Sequence, residues 1–195
     1  MRKTIAEIAE VVVGGQIITR LIDHDQDGKP EDEKIGTIVA KSIKDGFLSK
    51  DNGNMLYNAY KEAPDERKLT HEGDIVIKLT QPFSACLIGK DDCGLLVSSF
   101  CAIIRGNKSV VPEYLVAYLN SYKGVRQVTS MMAGSTISTI SLKNVGALSI
   151  PIPSVGKQKE IGKAYENRIK AIQLADRLKE LEEEKLNAMI AEVDE

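Results

Sequence analysis

The pattern of apolar and polar positions changes once along this chain, near residue 154, and the two sides predict different structures. Before that point apolar residues come in short runs. "GDIVIKL" (73–79) alternates Ile75, Ile77 and Leu79 against Val76 and Lys78, "GLLVSSFCAIIRG" (94–106) is a continuous apolar run of the kind a buried strand makes, and "GTIVAKSI" (36–43) is a shorter one. Gly, Asp and Asn separate them, as in "SKDNGN" (49–54). One helix stands out here, "PEYLVAYLNSYKGVRQV" (112–128). Pro112 suits its first position, and Leu115, Val116, Leu119 and Tyr122 share a face that fits a layer packed on a sheet.

At "SIPIPS" (149–154) Pro151 and Pro153 end an extended stretch, and a helical period takes over. Ile161, Tyr165, Ile169, Ile172, Ala175, Leu178, Leu181, Leu186, Met189 and Val193 recur mostly three or four apart. Ser154 fits the N-cap, with Lys157 where a capping box has Glu. These elements predict a mixed α/β (α+β) globular domain over residues 1–153, followed by one long helix over 154–195. At about 1.5 Å per residue that helix is a rod of roughly 55 Å, longer than a domain of about 150 residues is wide. Two fates are open to its stripe: folding back over its own sheet, or pairing with a partner helix. The length favours pairing.

The chain has 195 residues, 43% of them hydrophobic, enough for a real core, and no apolar run approaches the length of a membrane span. The N-terminal "MRKTIAEIAEVVVGG" carries acids where a signal peptide has its apolar centre, so a cytoplasmic location is expected. The net charge of -2 argues against indiscriminate nucleic-acid binding, but it is unevenly spread: -4 over residues 1–77, +4 over 78–154 and -2 over 155–195. An anionic partner would prefer the middle segment.

Known chemistries find little to hold. Cys86, Cys93 and Cys101 lack a C-x-x-C pair and sit in apolar sequence, which fits reduced core thiols. A catalytic cysteine needs a basic partner, and the two histidines, His24 and His71, lie in polar, turn-like sequence. "DHDQDGKPEDEK" (23–34) places Asp23, Asp25, Asp27 and Gly28 as in a calcium loop. It has Lys34 where the bidentate Glu belongs, and Pro30 disrupts the eighth position, so a solvated acidic loop is expected. In "PDERK" (64–68) Asp65, Glu66 and Lys68 are nuclease-like residue types, but adjacent in a polar turn rather than gathered from separate strands. "GGQ" and "AGST" lack phosphate-cradling spacing, so neither S-adenosylmethionine nor ATP is expected to bind, and no cofactor or metal is assigned.

The ordered series "IAEIAEVVVGGQIITR", "GTIVAKSIKDGFLS", "EGDIVIKL", "VVPEYLVAYLNS" and "GSTISTISLKNVGALSIPIPSVGKQKEI", followed by a long helix, resembles one target-recognition domain and one conserved helix of a type I restriction-modification specificity (S) subunit. The resemblance covers essentially the whole chain. It implies a non-catalytic subunit that reads double-stranded DNA while separate methyltransferase (M) and restriction (R) subunits carry the chemistry. A typical S chain has two recognition domains joined by two antiparallel helices. This sequence has one of each, so the resemblance implies a half-length form completed by a second copy.

On that basis the DNA-contact candidates are polar residues on loops of the basic segment: Lys78, Thr80, Gln81 and Ser84, then Ser135, Thr136, Ser138, Thr139 and Lys143. Lys41 and Lys44 are added as backbone contacts. Taken singly each is an ordinary surface residue; the resemblance groups them. Ile161, Tyr165, Ile169, Ile172, Leu178, Leu181, Leu186 and Met189 are the candidates for an antiparallel homodimeric coiled coil. The competing class is a cytoplasmic scaffold or regulator that pairs through the helix with S or M subunits without reading DNA.

Overall fold

The computed structural model describes residues 1–14, 34–50, 53–60, 64–107, 109–131 and 139–192. The calcium-like loop with Asp23, Asp25 and Asp27, the histidine His24, the candidates Ser135, Thr136 and Ser138, and Val193 lie outside them. In chain order the elements are β1 (Arg2–Thr4), α1 (Ile5–Ile8), β2 (Ala9–Val13), β3 (Ile35–Ile38), β4 (Ile43–Lys44), β5 (Phe47–Leu48), β6 (Met55–Asn58) and β7 (Ile75–Lys78). Then come β8 (Ala85–Leu87), β9 (Leu96–Val97), β10 (Cys101–Gly106), α2 (Pro112–Leu119), α3 (Tyr122–Ser130), α4 (Leu142–Gly146), β11 (Ser149–Pro151) and α5 (Val155–Ala191). The fold is mixed α/β with a long C-terminal helix, as its patterning predicts.

A four-stranded antiparallel sheet, ordered β2-β10-β7-β8, is the centre of the domain. Both of its faces are covered. On one, Ile75, Ile77, Ala102 and Ile104 pack with Leu115, Val116 and Leu119 of α2 and Val128 of α3. On the other, Val76, Ile103, Cys86 and Cys101 pack with Ile38, Met55 and Val97 from a three-stranded sheet, β6-β3-β9. The alternation in 73–79 is therefore real, but it divides two cores rather than core from water. Val76 goes to the second core, and Lys78, two residues on, follows it to the same face and is 9% exposed.

Three predicted runs are divided. The apolar stretch 94–106 makes two strands, because a turn in which Cys101 N–H donates to Ser98 C=O (2.9 Å) interrupts it. The predicted helix 112–128 ends at Asn120 and restarts behind Ser121, whose hydroxyl accepts from Gly124 N–H at 3.2 Å. The restart turns Tyr122 away from the α2 face and leaves it 78% exposed. The run 36–43 becomes β3, a 3-10 turn over Ala40–Ser42 and the first residue of β4. Among the cysteines, Cys86 and Cys101 are buried free thiols, whereas Cys93 is free but exposed, since the tight turn at Asp92–Gly94 puts it on the surface.

The chain's N-terminus holds the start of the long helix. β1 pairs antiparallel with β11, and Arg2 donates to Ser149 C=O and Oγ at 2.6 and 2.9 Å. Ser154 caps α5, its Oγ accepting from Lys157 N–H at 3.4 Å. Gln158, 1% exposed, accepts from Val111 N–H (2.9 Å), capping α2, and donates to Pro153 C=O (3.0 Å). One turn on, Gly162 lets α5 approach α2 closely: a Cβ there would lie 2.7 Å from Glu113 Cβ.

α5 runs for 37 residues, about 55 Å, and its apolar stripe is two seams rather than one. Ile161 and Tyr165 pack on the domain's own core, and Ile169, Ile172 and Asp176 are half-buried along the same line. At about 100° per residue, Leu174, Leu178 and Leu181 fall on the opposite side of the helix. They are 71%, 61% and 45% exposed. Leu186, Met189 and Ile190 are also exposed.

Candidate nucleic-acid interface

The β4–β5 hairpin turns through Asp45 and Gly46, both at positive φ (49° and 92°). The tip lies under the long helix: a side chain at Gly46 would collide with the Tyr165 hydroxyl. Three contacts fix it. Gly46 N–H donates to Ser84 Oγ (3.1 Å), the Tyr165 hydroxyl donates to Gly46 C=O (3.4 Å), and Lys44 Nζ pairs with Asp176 at 3.1 Å. Tyr165 is in turn held by Asn120, whose Nδ2 donates to the phenol oxygen (2.6 Å) and to Ala85 C=O (2.7 Å), while its Oδ1 accepts from Ala85 N–H (2.9 Å). Burial raises the Tyr165 phenol above the ordinary tyrosine range, against the lowering effect of the Asn120 bond.

Between this hairpin, the end of β7 and α5 lies an open groove whose walls include Lys41, Lys44, Lys78 and Arg168, with Asp45, Ser84 and Asn120 beside them. Four cations thus face one carboxylate. Hydrogen bonding and attraction from Asp176 raise the Lys44 ammonium, which stays protonated. Such a groove suits a phosphate-bearing ligand.

The structure therefore brings together Lys41, Lys44, Lys78 and Ser84 of the sequence candidates. Gln81 is exposed next to Pro82, which also lines the groove. Thr80 makes a backbone bridge with Thr139 that carries the next segment back to the sheet, with Ile140 N–H donating to Leu79 C=O at 2.8 Å. Lys143 stands apart, exposed on α4, lining a separate depression with Thr4, Ala9 and Val11. Asp65 of the "PDERK" turn is taken up by Arg67, which donates through Nε and Nη2 at 3.2 and 2.9 Å. Among the described residues no group of His, Cys, Asp or Glu is arranged to hold a metal ion. No described helix is long and apolar enough to cross a membrane.

Sequence reasoning passed over Arg168, Asn120 and Asp176. Arg168 and Asp176 stand three and eleven residues beyond Tyr165 on a charge-rich helix, where the sequence marks no side of the rod as facing the domain. Asn120 lies inside a helix that the sequence predicts as continuous over 112–128, so its place at the break between α2 and α3 emerges only in the structure.

The family described as Type I restriction modification DNA specificity domain matches residues 2–183, domain and long helix together. The chain belongs to this family. Among curated members, the type I restriction enzyme StySPI specificity subunit of Salmonella potsdam is 26% identical over 138 residues, and the EcoKI specificity subunit of Escherichia coli (strain K12) is 24% identical over the same length. Each alignment covers 67% of this chain and 28% of the relative. The fold is shared with the HsdS subunit from Thermoanaerobacter tengcongensis (TM-score 0.60, 15% identity, 91% of this chain and 39% of that one). It is shared also with a chain solved in a study of complex assembly and conformational transition of the type I R-M system (TM-score 0.66, 19% identity, 91% and 44%). This specificity-domain chain thus spans less than half the length of the relatives it matches.

Proposed function

We propose that this chain is the non-catalytic, DNA-sequence-reading component of a cytoplasmic type I restriction-modification assembly, directing methyltransferase and restriction subunits to a split site. The family match, which runs through both the globular part and most of α5, carries the reading. In it, residues 1–153 are the recognition domain, and Gln81 and the groove residues face double-stranded DNA. Residues 154–195 are the spacer and pairing helix. A second copy joins about a two-fold axis through the outward seam of Leu174, Leu178 and Leu181, which supplies a second recognition domain. The seam turned toward the domain, with Ile161 and Tyr165, is already covered and takes no part.

Two experiments test this. Light scattering on the purified chain is expected to give a dimer at micromolar concentration that Leu178→Glu with Leu181→Glu dissociates. A strict monomer, or a dimer indifferent to both changes, refutes the pairing. Retention of duplexes by the chain bound to its methyltransferase subunit is expected to depend on sequence, and sequence-blind retention refutes the recognition role and favours a scaffold.

A further inference from the structure

Lys78 is the unusual member of the groove. It is 9% exposed; its backbone N–H donates to Ser84 C=O at 2.9 Å, and its ammonium meets no carboxylate among the described residues. Among the described residues the only buried side-chain polar atom without a partner is Ser98 Oγ, so the Lys78 stem is buried while its ammonium reaches out into the groove, where an anion can meet it. Its cross-strand neighbour Cys101 supplies no negative charge: burial pushes that thiol up to about 11. Lys41 and Arg168, exposed on the two walls, form no ion pair among the described residues, with Asp45 the one carboxylate lining the groove, and Lys44 is already held by Asp176. Ser84 Oγ accepts from Gly46 N–H through one of its two lone pairs and keeps its own hydrogen to donate.

We infer that this groove is a built phosphodiester site in which Lys78 at the floor, Lys41 on one wall and Arg168 of the long helix on the other grip one backbone phosphate of duplex DNA. The inference rests on the DNA-reading role proposed above and deepens it: the helix is a direct DNA contact as well as a spacer. Arg168 offers a planar fork for two phosphate oxygens, and Lys78 offers a point charge on a stem held in place by the sheet. Because the groove is walled by both domain and helix, a phosphate in it would tie the DNA's position to the direction in which α5 leaves the domain.

The test is fluorescence anisotropy of the full chain with a labelled mixed-sequence duplex, from low to physiological salt. Arg168→Ala and Lys78→Met are each expected to flatten the dependence of log K on log salt, and the two together by about 0.9, the one counterion that one phosphate releases, for every sequence alike. Arg168→Lys should keep the slope. Lys123→Ala, exposed on α3 outside the groove, should leave slope and affinity unchanged. Arg168 is exposed, so its replacement does not threaten folding, and it decides the matter if Lys78→Met misfolds. Duplex binding with an unaltered slope in Arg168→Ala overturns the phosphate site and leaves the DNA-reading role standing. Failure to bind any duplex, alone or with the methyltransferase subunit, removes both. Saturable binding of inorganic phosphate or ATP that Arg168→Ala abolishes, with the duplex slope untouched, makes this a small-anion site and also overturns the inference.

Discussion

Replacing Asn120 with Ala is expected to loosen the hairpin, the sheet and the long helix at once. The carboxamide makes three hydrogen bonds of 2.6 to 2.9 Å, to Ala85 N–H, Ala85 C=O and the Tyr165 hydroxyl. Ala85 is 1% exposed, so water cannot readily replace the lost partners on its backbone. Each buried group left unpaired costs about 1–3 kcal/mol, and the half-buried phenol costs less, giving a loss of about 2–4 kcal/mol. Tyr165→Phe removes only the hydroxyl and its bonds to Asn120 and Gly46, for about 1 kcal/mol. Because the two residues bond each other, the double variant should be less destabilised than the sum by about 1 kcal/mol. Urea unfolding followed by far-UV circular dichroism measures all three, the sequence having no tryptophan. An Asn120→Ala loss below about 0.5 kcal/mol, or strict additivity, would refute the reasoning. The raised Tyr165 phenol adds a pH signature. Its contribution is fully present below the unfolded tyrosine value of about 10 and is lost as pH climbs above it, because the unfolded chain ionises first. Tyr165→Phe should reduce that alkaline loss; Tyr114, raised likewise by burial, keeps the remainder.

Asp74→Ala should cost about 3–5 kcal/mol in the same unfolding assay. It removes the carboxylate that Arg105 meets through Nε and Nη2 at 2.9 and 2.7 Å, leaving that guanidinium backbone carbonyls such as Leu69 C=O (3.0 Å) and no counter-charge, and it unpairs the His71 N–H held at 2.8 Å. Gly162→Ala should destabilise by about 1–3 kcal/mol despite alanine's better helix propensity, since its methyl would press on Glu113 of α2; a gain in stability would mean that α5 is not docked there. In the native chain one thiol, Cys93, should react promptly with a disulfide reagent, and three after unfolding. Burial raises the Cys86 and Cys101 thiols as well as shielding them, so rapid native reaction of more than one thiol would contradict the packing of the second core.

How much of this was legible in the sequence follows from what a local pattern can encode. The start of α5 was legible, because two prolines and a capping serine act on their own neighbours. So were the strands within 73–79 and 94–106, whose apolar content exceeds anything a surface strand needs. What a pattern summed along the chain cannot give is the side on which each residue is met. The stripe of α5 keeps a helical spacing throughout, yet its first half is covered by α2 and the hairpin and its second half faces away, a division made by tertiary contacts alone. The same holds for the site. Lys78, Lys41, Lys44 and Ser84 are polar residues in or near basic loops, and the fold gathers them. Lys143, the same in sequence, lies elsewhere. Arg168 and Asp176 look like any charges on an exposed helix until the hairpin is placed beneath them.

The central claim, that this chain reads DNA and does so as one half of a symmetric pair, is tested most directly by selecting bound duplexes from a random pool with the chain in complex with its methyltransferase subunit. The account predicts enrichment of an interrupted palindrome, two identical half-sites in opposite orientation around a spacer of fixed length set by the paired helices. Recovery of no enriched sequence, or of an asymmetric or uninterrupted one, would contradict it.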